Sequence, residues 1–144
     1  MNHLTNLQFC TILFLLIAPT LYQRAKFELD PDSFKGTWLR DKLGINLHHG
    51  HFGLPLLFLG WAMLVNGWWN DWSVCISALG WGFILDEIVP MLMMETPDKR
   101  KKDPDKEPFD GRTYELDVYY RSKMPTLILV ASVVVVITLL FKLL

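Results

Sequence analysis

The sequence predicts an all-α, polytopic membrane protein with four transmembrane helices and a glycine-rich hairpin, formed by the second and third, at its centre. Three observations carry this. Apolar residues make up 51% of the 144-residue chain. The charged residues crowd into two stretches with long apolar runs between them. Four of those runs approach the ~20 helical residues needed to cross a hydrocarbon core of roughly 30 Å. Segregation of this kind is expected, because a charge at the bilayer centre costs roughly 2.5–3.5 kcal/mol even on the mildest insertion scale. The chain is long enough for one domain. Its 14 Lys and Arg nearly balance its 15 Asp and Glu, so net charge points to no partner class, and the membrane character is what sets the expectation of lipid and no nucleic acid.

The first predicted span covers residues 4–22. No Lys or Arg precedes its apolar run and no small-residue cleavage site follows it, so it reads as a retained span rather than a signal peptide. Next comes a linking segment in which Asp30-Pro31-Asp32-Ser33 is a helix-start signal. Phe34, Trp38, Leu39 and Leu43 then recur with Lys35, Arg40 and Lys42 between them, which predicts an amphipathic interfacial helix over residues 32–44. The second span is predicted at 45–65 and the third at 72–94. Trp68, Trp69 and Trp72 cluster at the short turn between them, where amphipathic rings suit the membrane interface. Residues 95–123 form a long charged loop, and the last span, 124–144, is the plainest, with Val133–Val136 at its centre.

Orientation follows from Lys and Arg. Thirteen of the 14 lie in the two long links and only Lys142 lies elsewhere. The positive-inside rule then places both links in the cytoplasm and both termini outside. Cys10 and Cys75 lie in apolar segments without metal-finger spacing and read as small buried hydrophobes.

The residues with chemistry sit in the central hairpin. The second span opens Asn46-Leu47-His48-His49-Gly50-His51-Phe52-Gly53, and the third ends with Asp86-Glu87 before Pro90. With the hairpin turn centred near Trp69, His51 and Glu87 each stand 18 residues from it. Equal arms place them at one depth, about 27 Å from the turn at 1.5 Å per residue. Gly53, Gly60 and Gly67 repeat every seven residues, and Ser73, Ser77 and Gly80 offer a second stripe of small residues, which lets two membrane helices approach. Pro55 and Pro90 would release the carbonyls of His51 and Asp86 from helical hydrogen bonding.

Histidines with carboxylates are the ligand set of zinc, manganese or iron. His48 and His51 share a helical face while His49 points about 100° away. Three readings of the cluster stand: a metal or catalytic site, a structural polar network, and a proton or ion pathway.

At these residues the chain resembles an uncharacterised family of small prokaryotic integral membrane proteins. The family's pattern runs HxHHxxxG, then GxGxxxDE, then a DVYW-like motif. Here these stand as Asn46 to Gly53, with Asn46 where the family often has its first histidine; as Gly80-Trp81-Gly82-Phe83-Ile84-Leu85-Asp86-Glu87; and as Asp117-Val118-Tyr119-Tyr120. The resemblance covers residues 45–121 and implies a prokaryotic cytoplasmic (inner) membrane and a shared site, without an established activity.

The leading expectation is a metal-dependent hydrolase or transferase acting on a lipid or other amphiphile at the cytoplasmic leaflet. His48, His49 and Asp86 are the expected ligands, with His51 as an alternative, and Glu87 is the general base. Asp117, Tyr120 and Asn46 are expected to support the ligands from behind. Neither a GxSxG nucleophile motif nor a phosphate loop is present. The alternative is a non-enzymatic homo-oligomeric pore, ion-conducting unit or accessory subunit of a larger membrane complex, with the glycine faces serving assembly.

Overall fold

The computed structural model describes residues 5–30, 50–68, 71–94 and 117–143, and every regular element among them is helical. Among the described residues four helices follow one another: α1 (Asn6–Leu29), α2 (Gly50–Val65), α3 (Asp71–Met93) and α4 (Lys123–Leu143). Three of them, α1, α3 and α4, are long and apolar enough to cross a membrane, and α2 is a shorter apolar helix. Large apolar side chains such as Phe14, Phe58, Trp61, Ile128 and Leu139 are exposed along the helices. Long apolar helices with apolar outer faces are the build of an integral membrane protein. The segments expected to form the interfacial helix, 32–44, and most of the charged loop lie outside the described residues.

Local chemistry sets the ends of α1. Thr5 Oγ1 accepts from the Gln8 backbone N–H at 3.2 Å, and Gln8 Oε1 accepts from the Thr5 N–H at 2.8 Å. That reciprocal pair satisfies two of the donors a helix start leaves open. At the other end α1 runs to Leu29, two turns past the expected limit at Tyr22. Nothing in Gln23-Arg24-Ala25-Lys26 breaks a helix, and Lys26 in the last turn suits the negative end of the helix dipole.

α3 is the centre of the bundle and packs against the other three helices. Its small residues face two ways. On one side Gly80 meets α2: a Cβ built on Gly53 would lie 2.6 Å from the Gly80 carbonyl oxygen, and one on Gly60 would lie 3.0 Å from that of Ser73 and overlap Ser77 Oγ. On the other side Gly82 meets α1, where a Cβ would come within 2.6 Å of the Leu16 carbonyl oxygen and 2.9 Å of that of Leu15. Pro19 lies inside α1 four residues past Leu15, so the Leu15 carbonyl has no helical N–H donor, and Gly82 covers it. Gly67, third of the seven-residue repeat, does something else. It takes φ +75° in the turn after α2, a conformation glycine adopts at no steric cost.

α1 and α3 run parallel, with α2 and α4 opposed to them. Gln8 meets Asp71 at one end, and Arg24 meets Asp86 at the other. α4 lies antiparallel to α1, its Phe141 ring stacked on Phe9 at 3.9 Å while Thr126 reaches Arg24. Leu16 of α1, Leu85 of α3 and Val130 of α4 form the buried apolar core. A helical turn at 117–121 leads into α4 through Ser122, whose N–H donates to the Val118 carbonyl at 2.9 Å. The ladder is interrupted there because Pro125 has no N–H to offer Arg121.

Candidate functional site

The end of α3 carries two adjacent carboxylates, Asp86 and Glu87, at 0% and 3% exposure. Successive helical residues point about 100° apart, so the two diverge into different grooves. Glu87 turns to α2. A Cβ added to Gly50 would fall 2.7 Å from Glu87 Cβ and 2.8 Å from its Cγ, so only glycine at position 50 lets the helices meet there. Asp86 turns to α1 and the 117–121 turn.

Around Asp86 stands a buried network of side chains. Arg24 Nε lies 3.4 Å from Asp86 Oδ1, and the Tyr119 hydroxyl donates to Oδ2 at 2.9 Å. Arg24 also donates through one terminal nitrogen to the Tyr119 carbonyl at 2.6 Å and to Ser122 Oγ at 3.3 Å, and through the other to Thr126 Oγ1 at 3.0 Å. Its guanidinium sits 3.8 Å from the centre of the Tyr119 ring, and the Phe27 ring meets that tyrosine edge-on at 4.9 Å. Ser122, Thr126 and Asp86 are fully buried. A charge survives such burial only when it is paired and hydrogen-bonded, and Arg24 has carboxylate, carbonyl, hydroxyl and ring partners. Burial first, and then the negative charge of Asp86, push the Tyr119 hydroxyl pKa up, so the phenol stays a donor.

The other expected site residues are placed as follows. His51 is exposed in the first turn of α2. Asp117 is exposed and pairs with Arg121 at 2.7 Å. The Tyr120 hydroxyl donates to the Phe27 carbonyl at 3.1 Å, closing the end of α1 rather than reaching Asp86. Tyr119 is the tyrosine that faces inward, because neighbours on a helical turn cannot share a face. Asn46, His48 and His49 lie outside the described residues, and among the described ones no group of three or more His, Cys, Asp and Glu could hold a metal ion.

The sequence marks Arg24 only as an orientation signal and Tyr119 only as part of a motif in which Tyr120 carries the expected role, and it draws no attention to Ser122 and Thr126. One signal was present: Ser122 and Thr126 are four residues apart, a spacing that puts them on one face of a helix. Beside them, Lys123 pairs with Glu28 and fastens the start of α4 to the end of α1. No protein-family model, curated protein or solved structure matches the chain.

Proposed function

We propose that the chain is a four-span membrane protein of the prokaryotic cytoplasmic membrane with a divalent-metal site at the cytoplasmic end of α2 and α3, and that it hydrolyses or transfers the head group of a lipid or other amphiphile. One observation supports this above the others. Glu87 is buried against Gly50, the residue that directly follows His48-His49. The buried carboxylate thus packs against the residue next in sequence to His48-His49, and a donor set of two histidines and a carboxylate suits zinc, manganese or iron.

The roles divide along the two grooves. His48 and His49, with His51 as the alternative, supply nitrogen ligands, and Glu87 is the carboxylate beside them, able to take a proton from an attacking water. Asp86 has both oxygens engaged, by Arg24 and by Tyr119, and its part is to hold the end of α3 in place. A divalent ion at this site would supply Lewis acidity toward a carbonyl or phosphoryl oxygen. Thirteen of 14 Lys and Arg on the same side support a cytoplasmic position for the site.

The test is metal content of the purified protein by mass spectrometry, for wild type, His49→Ala, Glu87→Gln and Asp117→Asn. Near-stoichiometric zinc, manganese or iron is expected in wild type and Asp117→Asn, and is expected to be lost in the other two. Folded wild-type protein that carries no metal after purification without chelator would overturn the reading.

A further inference from the structure

At the end of the bundle opposite Arg24 and Asp86, α1 and α3 part around a cavity of about 220 Å³. Leu7, Ile12 and Val74 give it apolar walls, and Gln8, Thr11 and Asp71 give it polar groups. Two of these groups are already committed within the protein. Gln8 Oε1 accepts from Thr5, while Gln8 Nε2 donates to Asp71 Oδ1 at 2.7 Å. The Thr11 hydroxyl donates to the Leu7 carbonyl at 2.9 Å. Asp71 is exposed and, as a carboxylate, has acceptor capacity beyond that one bond.

Depth and charge say what fits here. Asp71 and Asp86 are 15 positions apart on α3, or about 22 Å along the helix, so Asp71 stands near the membrane interface opposite the Arg24 cluster. Trp68 and Trp72 are exposed on either side of it, at 63% and 73%, as interfacial aromatic residues are. Among the described residues Lys142 is the one Lys or Arg at this end of the bundle, so Asp71 meets little cation from the protein itself. The cavity is also smaller than the ~300–1,000 Å³ that encloses a whole small molecule, which suits one end of an elongated amphiphile.

We propose that this cavity binds a phospholipid with a primary-amine head group, its ammonium on the Asp71 carboxylate and the carbons beneath the head group against Leu7, Ile12 and Val74. A primary ammonium has N–H donors for a carboxylate. A choline head group has none, and a glycerol head group leaves the lipid with a net negative charge that Asp71 repels. The site rests on the membrane character of the chain and is independent of the metal reading.

Reconstitution of the full chain in bilayers of equal ethanolamine, choline and glycerol phospholipid, followed by native mass spectrometry of the retained lipid, tests this. Ethanolamine lipid should be retained about fivefold over choline lipid, the size of an exposed ion pair. Asp71→Asn should abolish the preference and Asp71→Glu should keep it. Val74→Trp, which fills the cavity, should lower retained lipid of every class. Equal retention of all classes by wild type, or an unchanged preference in Asp71→Asn with normal helicity by circular dichroism, would overturn the proposal.

Discussion

Arg24 Nε lies 3.4 Å from Asp86 Oδ1, with the two side chains 7% and 0% exposed, so a buried ion pair joins the end of α1 to the end of α3. Both charges are buried, and each depends on the other and on the hydroxyls of Tyr119, Ser122 and Thr126.

Removing one partner should therefore cost more than removing both. Arg24→Ala or Asp86→Leu is expected to lower stability by roughly 3–5 kcal/mol, the cost of a buried charge left without its partner. Arg24→Met with Asp86→Leu should recover much of that loss. Chemical unfolding in detergent, read by tryptophan fluorescence, measures all three. A double variant as unstable as the sum of the singles would show the two residues acting separately.

The two neighbouring tyrosines should differ. Tyr119→Phe removes a donor to a carboxylate and should cost roughly 1.5–3 kcal/mol, whereas Tyr120→Phe removes a bond to a backbone carbonyl and should cost roughly 0.5–1.5 kcal/mol. Ultraviolet titration gives a second reading. Burial and the Asp86 charge raise the Tyr119 pKa, so this phenol stays protonated as pH climbs through the ordinary tyrosine range. The tyrosinate absorbance gained over that range should be unchanged in Tyr119→Phe, and a drop in that variant would be incompatible with an inward-facing Tyr119.

Glycines that touch should be intolerant in a different way from the glycine that turns. Gly53→Val forces a side chain onto the Gly80 carbonyl oxygen and should cost about 1–3 kcal/mol through overpacking. Gly67→Ala meets nothing within 4 Å, and its cost, about 1–2 kcal/mol, is that of a positive φ alone. A smaller residue should thus rescue position 53 in part, and Asn, which tolerates positive φ, should rescue position 67. Thermal midpoints of Gly53→Ala and Gly67→Asn decide this.

Orientation can be read directly. With Cys10 and Cys75 replaced, a lone cysteine introduced as Asp105→Cys should react with an impermeant thiol reagent only after cells are opened. One introduced as Leu144→Cys should react in intact cells. Labelling in the opposite sense would place the His48-His49 segment on the other side of the membrane.

Much of the hairpin could be read from the sequence. Stripes of small residues have one obvious use between apolar helices, and Gly53 with Gly80 and Gly60 with Ser77 are in contact. Arm lengths pointed to His51 opposite Glu87, and the structure sets Gly50 there, one residue away. The Arg24 cluster was not legible. A basic residue just past an apolar run looks the same whether it faces water or a partner, and its partners lie 62 and 95 residues further on, at Asp86 and Tyr119. Nor could the sequence choose between Tyr119 and Tyr120, since the phase of a short helical turn depends on what it docks against. His48 and His49, the residues most suggestive of chemistry, adjoin the described part of α2 at Gly50.

The turn at Gly67 also bears on the entropy cost of assembling the molecule. Its N–H donates to the Leu64 carbonyl at 3.1 Å, and only residues 66–70 separate α2 from α3. So short a connection makes joining these two helices entropically cheap, whereas docking α1 and α4 closes loops many times longer. The pair α2–α3 is thus the helix contact closed at the smallest cost in chain entropy. Arg24 and Tyr119 reach Asp86 across far longer loops, so closing the buried ion pair costs more chain entropy than closing the hairpin.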